Sequence, residues 1–151
     1  MEVFEFMTRR ELVLFLLLAS MLVGVTYAVL TSTLIIPNVA EVKTVGVEAY
    51  WDANATSMVS EIDWGICAAG QNYSRTIYLK NVENTPCMLN FTTSNWNPAN
   101  ASDYVTLYWN YTGQILYPSE VIAVELTLSI SESISGIDSF SFDLVITAFE
   151  A

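Results

Sequence analysis

Period-two alternation dominates the chain after residue 44. Ile122, Val124, Leu126, Leu128 and Ile130 alternate with smaller or polar residues, and Phe140, Phe142, Leu144 and Ile146 repeat the pattern. Successive side chains of a strand point to opposite faces, so this spacing builds half-buried strands rather than the apolar stripe of a helix. Shorter runs follow the same rule: Val45, Val47, Ala49 and Trp51; Ile62, Trp64 and Ile66; Ile77 and Leu79; Cys87, Leu89 and Phe91; Val105, Leu107, Trp109 and Tyr111. β-Branched and aromatic residues fill these positions, as strands favour. About seven strands are expected, with turn sequences such as Gly70-Gln71-Asn72, Asn95-Trp96-Asn97-Pro98 and Ser135-Gly136 between them. The expected fold class is all-β: an antiparallel β-sandwich of jelly-roll or immunoglobulin-like type, spanning residues 44–151.

Before the strands comes a different kind of segment. Arg9 and Arg10 precede an uncharged run from Leu12 to Leu30, and Thr26 and Ala28 supply the small residues of a cleavage site. A basic region, an apolar region and a small-residue cut make a secretory signal over residues 1–28. Left uncleaved, the 19-residue run would reach about 28 Å as a helix and anchor the chain in a membrane by one span. Either way the β domain is exported, to an extracellular or cell-surface location. Membrane association is expected only for the uncleaved form.

Charge and composition remove many function classes. The chain has 151 residues, a formal net charge of −11 and no His. Nucleic acid is not an expected partner, because phosphate binding needs clustered Lys and Arg and the chain has five in all. Without His, the Ser-His-Asp and Cys-His systems and most zinc and copper sites are excluded. Asp63, Glu120 and Glu125 were the carboxylates to consider for glycoside hydrolysis, but strand phase turns Glu125 outward and puts Glu120 in a turn, so no facing pair forms. Asp52, Asp63, Asp103, Asp138 and Asp143 do not form a calcium loop motif. No enzyme activity, cofactor, metal site or catalytic residue is expected. Trp96, with Tyr104 and Tyr108 on an outward phase, is the candidate for a sugar-stacking platform; a lid or subunit contact is the competing role.

Five Asn-x-Ser/Thr sites follow the signal, at Asn54, Asn72, Asn90, Asn100 and Asn110, none interrupted by Pro. Strand phase sets Asn90 and Asn110 outward and leaves the other three in turns, so all five are expected to carry N-linked glycans. In an exported chain of prokaryotic type this points to an archaeon. Cys67 and Cys87 are the only thiols. Export favours a disulfide, yet a simple meander would set them at opposite ends of a sheet, beyond the ~7 Å Cα separation that a bridge allows. Bridged and free buried thiols both remain open.

Residues 29–43, with Val29 to Val42 apolar and β-prone, are either the sandwich's own edge strand or an arm that adds to a neighbour. The run Glu61-Ile62-Asp63-Trp64-Gly65, then Gly70, Arg75 to Asn81 and Thr93 to Pro98, resembles small exported archaeal β-sandwich proteins. The layout of signal, N-terminal strand and β domain is similar to subunits of archaeal bundling pili and extracellular threads, and to biofilm-fibre proteins of the TasA and camelysin type. That resemblance implies a homopolymer in which the N-terminal strand is donated to the next subunit, with Leu34 and Ile36 as its plugs. A cell-surface filament for adhesion or biofilm is the expected function; a monomeric carbohydrate-binding or adhesin ectodomain is the alternative.

Overall fold

The structure is a computed structural model that describes residues 36–151. The signal or anchor over 1–28 and the plug residue Leu34 lie outside the described residues. Eight strands are present among those described: β1 (Ile36–Val45), β2 (Val47–Tyr50), β3 (Glu61–Cys67), β4 (Asn72–Asn81), β5 (Cys87–Asn97), β6 (Val105–Trp109), β7 (Val121–Ile130) and β8 (Phe140–Glu150). One 3-10 turn, Ala99–Asp103, joins β5 to β6. The strands form two four-stranded sheets, ordered β3-β1-β8-β5 and β2-β4-β7-β6. All pairings between them are antiparallel except β1 with β8, which is parallel.

The alternation predicts which faces meet. Ile62 and Trp64 of β3 and Phe142, Leu144 and Ile146 of β8 share one buried cluster with Ile77 and Leu79 of β4 and Val124, Leu126 and Leu128 of β7. Each such side chain contributes about 1.5–3 kcal/mol of burial, which makes this β-sandwich-like core the main source of stability.

Two glycines shift the phase that simple alternation gives. Gly65 has φ +75° and forms a bulge where the β1–β3 register slips between Asn38 and Val39. Its amide donates to the Asp63 carboxylate at 2.7 Å. Past this bulge Ile66, expected inside, is 62% exposed, and Cys67 takes the inward position. Gly46, also at φ +75°, turns the chain from one sheet to the other. Val45 is consequently exposed on β1 while Val47 and Ala49 are buried on β2, so the run Val45 to Trp51 is two strands rather than one.

The main departure from expectation concerns residues 29–43. Their described part belongs to β1, which lies inside a sheet and pairs on both sides, so it is not an edge strand. Pro37 does not stop pairing: the ladder to β3 starts at Ile36 and includes Pro37 opposite Ile66, while the ladder to β8 starts at Asn38. A proline cannot donate to a second ladder, which accounts for the offset. Within the described chain, residues 44–151 are therefore not the whole sandwich.

Candidate functional site

β1 is held in place more by its backbone than by its side chains. Its inward positions are Asn38 and Ala40, both buried, and half-buried Val42 and Thr44. Outward it shows Glu41, Lys43 and Val45. Its neighbour β8 buries Phe140, Phe142, Leu144 and Ile146. Over residues 38–45 this interior strand thus gives the core one fully buried small apolar side chain, Ala40, while its main chain pairs with β3 over Ile36 to Glu41 and with β8 over Asn38 to Val45. Ile36, expected as a plug, has its backbone opposite Cys67 in this ladder.

Two polar contacts add to that grip. Lys43 on β1 donates to the Asp143 carboxylate on β8 at 2.5 Å, and Asn95 on β5 donates to the same oxygen at 2.6 Å. Asp143 lies on the outer face of its sheet yet is buried beneath these partners. The Lys43 hydrogen bond, followed by that of Asn95, holds the Asp143 carboxyl below the usual carboxylate range. Reciprocally, the bond to Asp143 raises Lys43, with Glu41 at 3.8 Å adding a weaker attraction. At the start of the strand the Asn38 side chain hydrogen-bonds the Cys67 thiol.

Three of the four outermost strands, β2, β3 and β5, have partly covered edges, which protects them from casual strand addition. Along β5, the Cys87 and Leu116 backbones exchange hydrogen bonds at 2.9 and 2.8 Å, and the Leu89 amide donates to the Tyr111 hydroxyl. β2 is met by the returning loop, where the Val59 amide donates to Ala49 at 2.9 Å. At β3, one guanidinium nitrogen of Arg75 donates to the carbonyls of Asp63 and Trp64, and the guanidinium carbon lies 5.8 Å from the Trp64 ring centre.

All five sequon asparagines are exposed. Asn90 sits within β5, Asn72 opens β4, Asn54 is in the loop after β2, and Asn100 is in the 3-10 turn. Asn110 follows β6 by one residue instead of lying on the strand, and its side-chain oxygen accepts the Glu125 amide at 2.9 Å. The Asn54 loop is ordered by Asp52, whose carboxylate accepts amides of Asn54, Thr56 and Ser57 and is thereby held below its ordinary value, the Ser57 bond being the largest cause.

Cys67 and Cys87 are free and buried. The register explains why they are not bridged. Cys67 lies beside Ile36, at the β1 start, on one outermost strand; Cys87 lies beside Glu150, at the β8 end, on the other. Two strands and most of the sheet length separate them, far beyond a disulfide's reach. Burial pushes both thiols up.

The aromatic platform is not assembled. Trp96 stacks on Phe142 with ring centres 4.3 Å apart, and its indole nitrogen donates to Thr93. Tyr104 packs against the core, which leaves only Tyr108 of the three exposed. The carboxylates singled out in the sequence do not converge either: Asp63 caps its own bulge and Glu120 accepts the Tyr117 amide. Among the described residues no three His, Cys, Asp or Glu side chains gather to hold a metal, and no helix is long and apolar enough to cross a membrane. The interior position of β1 and its glycine corner had no signal in the alternation pattern. No protein-family model matches the chain, and no curated protein matches it.

Proposed function

We propose that the chain is an exported, glycosylated structural subunit that polymerises by strand donation into a cell-surface filament, as its resemblance to archaeal thread and TasA-type subunits implies. The supporting observation is β1 itself. It occupies an interior slot, its buried side chains over residues 38–45 are only Asn38 and Ala40, and one glycine joins it to the rest of the domain. Such an element exchanges between copies at low cost, because the partner's slot offers the same ladder and the same Lys43–Asp143 contact. Covered edges on β2, β3 and β5 favour the β1 slot over those three strands as the place for a donated strand. Adhesion or biofilm is the role for the resulting filament, with sugars on its exposed sequons.

The pairing of Ile36 with Cys67 supplies a direct test. Ile36→Cys, made with Cys87→Ser so that only the designed pair remains, sets a thiol on β1 opposite Cys67 of whichever copy accepts the strand. Oxidised filament-forming material should run as a covalent ladder on a non-reducing gel. A chain that stays monomeric while its two thiols are linked keeps β1 at home, and the filament reading is then lost. A dimer without higher species would mean that exchange closes on itself.

A further inference from the structure

The described surface carries an apolar patch that the strand-donation reading does not use, and one of the sequons lies beside it. Val45 and Phe149 are 60% and 47% exposed, on β1 and β8. Val45 and Asn90 stand opposite Thr147 from its two sides, and Met88 stands opposite Phe149. Residues opposite one another share a sheet face, so Val45, Met88, Asn90, Thr147 and Phe149 all lie on the outer face at one end of the sheet. A groove of about 190 Å³ continues the patch over the edge where Gly46 turns away; Val45, Cys87, Ala148 and Phe149 line it, with Glu83 and Glu150 at its rim.

Asn90 and Phe149 are diagonal cross-strand neighbours, a relation that spans about 7–8 Å between Cα atoms and is within reach of long side chains. The first sugar on an asparagine extends about that far. Pyranose rings carry a face of C–H bonds with partial positive charge, and an aromatic face is negative, so the two stack as other positive edges do on aromatics. Asn90, Phe91 and Thr92 form the sequon, and both Asn90 and Thr92 are exposed. Of the five sequon asparagines, Asn90 is the one whose strand register sets it diagonal to an exposed aromatic ring.

We propose that a glycan on Asn90 folds across Thr147 onto Phe149 and covers the Val45–Phe149 patch, so that this sugar is a structural part of the outer sheet face. The proposal rests on the chain being glycosylated, as argued above. Its ligand is neutral carbohydrate presented by its own asparagine; a second copy of the chain on the same patch is the competing occupant.

The test uses protein recovered from the cells that export it, with mass spectrometry of the Asn90 peptide and melting of Asn90→Gln, Phe149→Ser and the double variant. The expected result is an occupied Asn90, a melting temperature lowered by roughly 2–5 °C for Asn90→Gln in the wild-type background, and little further loss when Phe149 is already Ser. Ring protons of the first sugar should also show an upfield ring-current shift that Phe149→Ser abolishes. A bare Asn90 alongside other loaded sequons overturns the proposal and leaves the glycoprotein reading intact; five bare sequons overturn both. Additive losses from the two substitutions, or assembly that fails with Phe149→Ser and survives Asn90→Gln, would give the patch to another subunit instead.

Discussion

Gly46 is the position at which the assembly reading is most exposed to refutation. Its φ of +75° is a left-handed conformation, and a Cβ built there would meet the Ala148 Cβ at 2.9 Å. Gly46→Ala therefore adds two costs to the self-paired form. Left-handed backbone costs an L residue about 1–2 kcal/mol. Pressing a methyl group against a side-chain carbon of a paired strand costs about 1–3 kcal/mol more. Together they come to about 2–5 kcal/mol. An exchanged strand has no need of the tight corner, so residue 46 is free to adopt extended backbone and shed the strain. The expected result is a lower urea midpoint for the monomer and a rise of roughly 30- to 4,000-fold in the ratio of exchanged to self-paired chains, read by size-exclusion chromatography or native mass spectrometry. Ala148→Gly should recover the contact part and leave the backbone part. An unchanged midpoint would refute the strain argument. A destabilised monomer with no gain in oligomers would refute the role of this corner as the hinge of exchange.

Other outcomes follow from the same contacts. Because the folded Asp143 carboxyl is held below its unfolded value of about 3.9, its stabilisation is present above that value and is lost as pH falls through the lowered folded one; Asp143→Asn should flatten the acid limb of a stability-against-pH curve and weaken protection of β1 amides in hydrogen exchange. Trp96→Ala removes the ring stacked on Phe142 and should cost about 2–3 kcal/mol in urea unfolding while leaving any sugar binding unaltered. The native chain should react slowly with thiol reagents, since burial raises both Cys67 and Cys87, and should take up two equivalents on unfolding. Asp52→Ala should free three amides of the loop that carries Asn54 and speed proteolysis there, with little change in global stability.

Much of the core was legible one residue at a time. Leu126, Leu128, Phe142, Leu144 and Ile146 are buried where alternation puts them, because a strand's two faces depend only on the pleat. The exposure of Asn90 was legible for the same reason, whereas Asn110, expected outward by strand phase, lies one residue past β6. What escaped was any feature in which one residue changes the phase or one strand finds a distant partner. Gly65 reverses the faces of Ile66 and Cys67 through a bulge, and nothing in the local pattern distinguishes a bulge glycine from a strand glycine. Trp96 looked available as a loop aromatic until Phe142, 46 positions later, was found beneath it.

The sequence by itself determined that the described chain is mostly β, which residues form most of its core, and that it has no His and five Lys and Arg in all. Those properties are local or compositional and need no knowledge of which strands meet. Only the tertiary structure decided that β1 is interior, that it runs parallel to β8, and that Cys67 and Cys87 stand at opposite ends of one sheet. Strand order joins residues about a hundred positions apart, as the pairing of Lys43 with Asp143 shows, and hydrogen bonds between main chains carry almost no record of the side chains that flank them.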